Sequence, residues 1–191
     1  VQFSADGKLV LSAGHDNTVK VWSVDSPAAL KTLRGHDSWV RACAFSPDGQ
    51  WVLSGGYDNH ARLWNVEGYE EVRVLRGRVL EGHQDAIMAV SFSRDGHQIA
   101  TASRDRTAKS WNADTGAELV SFREGHQFLA SDSAFFSDNK QLLTSAVDNT
   151  VRVWDVASGV EVRRLEHTGR AAAVAVSHDN RWVATGSDER T

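Results

Sequence analysis

At 191 residues, with 24 % charged side chains and a formal net charge of -4, the chain can bury a core as one domain, and it lacks the global basic field that nucleic acid or an anionic membrane demands. A single cysteine, Cys43, excludes an internal disulfide and favours an intracellular, cytoplasmic setting. The longest purely apolar run, AAAVAV at 171–176, is far short of a membrane span, and the opening VQFSADG is no signal peptide; starting without Met, the chain is expected to be a piece of something longer.

The predicted elements are short strands joined by tight turns. FSADG (3–7), FSPDG (45–49), FSRDG (92–96), FFSDN (135–139) and VSHDN (176–180) mark the same point in five successive units. Gly or Asn after the aspartate (Gly7, Gly49, Gly96, Asn139, Asn180) supplies the residue types that tolerate positive φ in such a turn. Beyond each turn the apolar pattern has period two, as in WVLSGG and QIATAS, and it resumes in VKVW, ARLW and VRVW after a second turn built on Asp-Asn or Asp-Arg. Trp22, Trp64, Trp111 and Trp154 close these later strands at intervals of 42, 47 and 43 residues, a repeat of the 40–45-residue class. The units run approximately over 1–30, 31–77, 78–120, 121–162 and an incomplete 163–191.

A histidine, a hydroxyl and an aspartate recur on this frame. His36 and Asp58, His83 and Asp105, and His126 and Asp148 are each 22 residues apart, with Ser54, Thr101 and Thr144 four before the aspartate and Trp64, Trp111 and Trp154 six after it. The first unit keeps Ser12, Asp16 and Trp22; the fifth keeps His167 and Thr185, but the residue 22 after His167 is Glu189, with Asp188 as a substitute only if the turn is shorter. One such trio could pass for a hydrolase triad. Its repetition argues for a scaffold, because chemistry needs one site and would need an oxyanion hole for each copy. Imidazole, carboxylate, hydroxyl and indole N–H can pair donor to acceptor in a closed buried chain.

The Gly-His pairs ending at His36, His83 and His126, the turn aspartates and the closing tryptophans resemble the WD-repeat family, although Trp-Asp itself survives only at Trp154-Asp155. That resemblance implies an all-β fold: a β-propeller of four-stranded antiparallel blades around a channel, with about four and a half repeats present, hence partial or open. Closure is expected from further blades of a longer chain or from a second copy. It also implies that partners dock on the channel face, at positions three and five after the histidine and one before the aspartate.

Those positions give Trp39, Arg41 and Tyr57 in the second unit and Ala86, Met88 and Arg104 in the third; Leu129, Ser131, Val147, Arg170, Ala172 and His15 are their counterparts elsewhere. Tryptophan, arginine and tyrosine together have the composition of a binding hot spot, and the expected partner is a protein or peptide. Lys20 and Lys109, on third strands, are expected to stand outside this patch. An enzyme with a single site in the channel and a regulatory domain of a larger signalling protein are the alternatives. No cofactor or metal is expected, since His15, His60, His97 and His178 form no metal spacing and no phosphate-binding loop occurs. Two anomalies remain. RVLRGRVLEGH (73–83) lengthens the path from Trp64 to His83 and presents Arg73, Arg76 and Arg78, either to an acidic surface or to solvent. Asp132 stands where other units carry a small apolar residue, and either faces channel water or meets a partner's charge.

Overall fold

The computed structural model describes residues 1–68, 71–75, 82–123 and 125–188. Among them are eighteen strands and no helix. Four sheets have four strands each: β1 (Gln2–Phe3), β2 (Leu9–Ala13), β3 (Thr18–Ser23) and β4 (Ala29–Arg34); β5 (Val40–Phe45), β6 (Trp51–Gly56), β7 (Ala61–Asn65) and β8 (Glu71–Leu75); β9 (Ile87–Phe92), β10 (Gln98–Ser103), β11 (Ala108–Asn112) and β12 (Glu118–Phe122); β13 (Ala130–Phe135), β14 (Gln141–Ala146), β15 (Thr150–Asp155) and β16 (Glu161–Glu166). A fifth sheet pairs β17 (Ala171–Val176) with β18 (Val183–Ser187). Every pairing is antiparallel between consecutive strands, the meander that two tight turns per unit enforce. The architecture is a partial propeller.

Turn chemistry fixes that meander. Gly7, Gly49, Gly96, Asn139 and Asn180 all have φ between 58° and 77°, as do Asn17, Asn59, Asn149 and, unexpectedly, Arg106 (φ 73°) in the second turns. Arg106 adopts a backbone region that costs an ordinary side chain free energy.

Sheets stack face on face, so the core is a series of layers between neighbours. Leu11, Val19, Val21 and Leu33 of the first sheet pack with Val40, Phe45, Val52 and Trp64 of the second. Leu53, Ala61 and Leu63 then meet Ile87, Ile99 and Trp111, and the series continues through Trp154 to Val153 and Ala171. This stacking buries β6, β10 and β14 on both faces, because each lies between two neighbouring sheets.

First strands of successive sheets lie beside one another and define the channel side, whereas β4 and β16 are largely exposed. Polar staples join the sheets along the inner side. Gln2 Oε1 accepts the Phe45 N–H at 2.6 Å, and Asp132 Oδ2 accepts the Val174 N–H at 3.0 Å. At the FSxDG-type turns, Asn139 Oδ1 takes the Arg94 N–H (2.9 Å) and Asn180 Oδ1 the Ser137 N–H (2.7 Å).

An extra residue breaks register in the first strand of the last four sheets, and another in the fourth strand of the four-stranded ones. Arg41, Met88, Ser131 and Ala172 are the extra residues of β5, β9, β13 and β17; Leu30, Leu119 and Val162 are those of β4, β12 and β16. Such bulges bend a strand and re-aim a side chain. They put Leu30, Leu119 and Val162 among the exposed large apolar residues of the outer strands.

Candidate recognition face

The repeated His, hydroxyl, Asp and Trp residues meet at one end of each complete sheet. In the second, His36 Nδ1 lies 2.8 Å from Asp58 Oδ2, its Nε2 2.8 Å from Ser54 Oγ, and Trp64 Nε1 donates to the same Oγ at 2.8 Å. In the third, His83 Nδ1 is 2.8 Å from Asp105 Oδ2 and Nε2 2.6 Å from Thr101 Oγ1, to which Trp111 donates at 2.9 Å. In the fourth, His126, Asp148, Thr144 and Trp154 repeat this at 3.1, 2.8 and 2.8 Å. One direction of donation satisfies every member: indole N–H to hydroxyl oxygen, hydroxyl O–H to Nε2, and Nδ1–H to carboxylate.

The serine–histidine–aspartate distances are those of a nucleophile and its base, yet Ser54, Thr101 and Thr144 are all 0 % exposed. Each hydroxyl also receives an indole N–H, so a substrate carbonyl has no approach to it. Electrostatics agree with a locked ion-dipole chain. Burial would raise Asp58, but the His36 hydrogen bond and charge, with the backbone N–H groups of Asp37 and His60, outweigh it and hold the carboxyl at about 2. Asp105 and Asp148 are lowered against the same burial, Asp105 chiefly by His83 and Asp148 by Thr150 and the Gln127 N–H, while burial pushes the His126 imidazole below its ordinary range. The glycine before the histidine makes room for this: a Cβ at Gly125 would collide with the Trp154 ring and the Arg152 guanidinium.

The terminal units differ. Trp22 donates to Ser12 Oγ at 2.8 Å, but Asp16 pairs with Thr18 Oγ1 and Lys20 Nζ, each at 2.7 Å. His167 Nε2 meets Thr185 Oγ1 at 2.9 Å, while Asp188 accepts from Arg170 Nε at 2.7 Å. Glu189, Arg76 and Arg78 lie outside the described residues; Arg73 falls within β8.

On the same end, side chains that do not repeat assemble into a ladder. His15 stacks on Trp39 with ring centroids 4.2 Å apart and planes within 12°, Trp39 meets Tyr57 at 5.7 Å, and the Arg104 guanidinium sits 5.9 Å from the Tyr57 centroid. The ladder crosses three sheets. The backbone makes it possible: Val40 N donates to Gly14 O (3.0 Å) and ties the loops of the first and second sheets, while Tyr57 N donates to Trp39 O (2.8 Å) and Arg104 N to Ala86 O (2.9 Å) within the second and third. Trp39 remains 47 % exposed, with Phe128 at 58 % on the corresponding loop of the fourth sheet.

Arg41 and Met88 take no part in the ring contacts. As bulge residues they turn out of the inner strands; Arg41 is exposed and its charge acts on Asp132, and Met88 is half-buried. Asp132 itself is half-buried: it accepts the N–H groups of Val174 and Ser133, and burial pushes its carboxyl up. Lys109 lies on the third strand β11. It is 2 % exposed and ion-paired to Glu118 at 2.7 Å, an internal strut. Sequence reading placed His15 at an outward position without its stacking partner, which belongs to the next unit, and it missed Phe128 and the Arg104–Asp85 contact (3.9 Å) between two loops of the third unit. Among the described residues no cluster of three or more His, Cys, Asp or Glu side chains could hold a metal.

Comparison with known proteins follows the same repeat. The profile of the WD domain, G-beta repeat family matches residues 1–23, 28–65, 75–112, 117–155 and 159–191. Human WD repeat and SOCS box-containing protein 1 is 49 % identical over 45 residues, 22 % of this chain and 11 % of that protein, and the protein of the same name from Xenopus tropicalis matches equally. Nuclear distribution protein PAC1 of Mycosarcoma maydis is 45 % identical over 42 residues, 22 % of this chain and 9 % of its own length. Each match thus spans about a tenth of the relative, the length of one repeat.

Proposed function

This chain belongs to the WD-repeat family, and we propose from that premise that it is a non-catalytic recognition module which binds a protein or peptide segment on the channel face, at the ladder of His15, Trp39, Tyr57 and Arg104. The observation that carries this reading is the half-exposed Trp39, stacked on His15 and meeting Tyr57, which in turn meets Arg104, in a row of four side chains drawn from three sheets. Rigid aromatic and guanidinium groups bury large area at small entropic cost and dominate binding energy where they cluster. WD-repeat proteins in general act as interaction scaffolds, which supports the class of function.

The chemistry of the ladder selects its ligand. Arg104 brings positive charge beside the Tyr57 ring, so an extended segment with an acidic residue next to an aromatic or aliphatic anchor fits best. Display of random peptides on the 191-residue chain should enrich such segments. Their affinity should fall about tenfold or more in Trp39→Ala and Arg104→Ala, with Lys8→Ala, at the opposite end of the sheets, unchanged. Selected peptides that bind Trp39→Ala and Arg104→Ala as tightly as the parent would move the recognition surface elsewhere.

A further inference from the structure

A second candidate lies at the opposite end of the sheets and is independent of the channel face. Between the second and third sheets a groove is lined by Trp51, Gly96, His97, Ala113 and Asp114, among others, and Trp51 packs there against the apolar layer that contains Trp111 and Ala113. One sheet further on, the equivalent positions are Gln98, Asn139, Lys140, Val156 and Ala157. This second groove holds a cavity of about 570 Å³, against about 320 Å³ in the first. The cause is local: a glutamine stands where the preceding unit has an indole.

The walls of the larger cavity are apolar. Val120 and Val156 belong to one packed layer, and Leu119, the bulge residue of β12, adds a side chain that is 48 % exposed. Gln98 Oε1 is buried at its edge with no hydrogen-bond partner among the described residues. A buried acceptor of this kind is unfavourable until a donor reaches it. On the rim Lys140 is exposed, with no ion pair found among the described residues, whereas Asp155 is engaged by the N–H and hydroxyl of Ser158 at 2.8 and 2.6 Å.

We infer that this cavity takes the indole of a tryptophan carried by a partner protein, its N–H donating to Gln98 Oε1 and its ring lying on Leu119, Val120 and Val156. An acidic residue beside that tryptophan pairs with Lys140. The groove between the second and third sheets shows what the geometry accommodates, since Trp51 supplies the same group in cis. Indole joins a broad apolar face to one ring donor, matching apolar walls with one orphan acceptor.

The test titrates the full chain with N-acetyl-tryptophanamide and with its N1-methylindole analogue, following amide shifts. Saturable shifts are expected at Gln98, Leu119, Val120 and Val156, with affinity about fivefold weaker for the methylated probe. Gln98→Leu should equalise the two probes, and Gln98→Trp, which fills the cavity from within, should abolish both. Trp39→Ala should leave the binding unchanged. Equal affinity of both probes for the parent chain, binding that survives Gln98→Trp, loss in Trp39→Ala, or no saturation up to the solubility limit would each overturn the assignment.

Discussion

Asp58 carries more of the second sheet than its size suggests, since it accepts from His36, from the backbone of Asp37 and His60, and lies 3.5 Å from the buried Arg62. Its removal strands an imidazole N–H and leaves a buried guanidinium short of its counter-charge. Asp58→Ala is therefore expected to lower stability by about 3 kcal/mol, read from denaturant midpoints. The same residues set a pH dependence. Burial keeps His126 neutral in the folded chain, so the unfolded chain takes up that proton first and stability declines as pH falls below about 6.5. Asp58, depressed from 3.8 to about 2, adds a second loss as pH falls from about 4 towards 2, because the unfolded carboxyl is again protonated first. Midpoints measured from pH 8 to pH 3 should show a high plateau above pH 7 and a progressive fall below it. Stability that rises on acidification through pH 6 would contradict the neutral, buried imidazole.

At the scale of strands and turns, the repeat was legible because its determinants are local. A turn needs Gly or Asn at one position, and Asn139 and Asn180 sit at positive φ where Gly7, Gly49 and Gly96 do. The 22-residue interval works because the loop before the first strand and the turn after the second lie at the same end of the same hairpin. What was not legible depends on neighbours. Period two cannot reveal that β10 is buried on both sides, nor which residue bulges from β9 or β12, because both follow from how sheets stack. Asp132 looked unpartnered because its acceptor role is met by Val174, 42 residues away in another sheet. Arg106 is the local exception: exposed, at φ 73°, where three other second turns have Asn. Arg106→Asn should raise stability by about 1 kcal/mol without altering the fold. A loss of stability would show that the arginine side chain makes a compensating contact.

Taken as a whole molecule, the protein separates two tasks along one surface. Repeated residues lock each sheet, with Trp64, Trp111 and Trp154 at most 2 % exposed, while residues that occur once, His15, Trp39, Tyr57 and Arg104, lie across the joins between sheets. Layered stacking makes this division possible, since each sheet is stabilised by its neighbours and its loop residues are free to vary. The seven tryptophans allow the division to be read in a single experiment. Indole N–H signals of the ¹⁵N-labelled chain should be recorded while a peptide selected on the parent chain is titrated in. The account predicts that the Trp39 signal moves with saturation and that those of Trp64, Trp111 and Trp154, donated to Ser54, Thr101 and Thr144, stay in place. Movement of the buried indoles with Trp39 unmoved would contradict it.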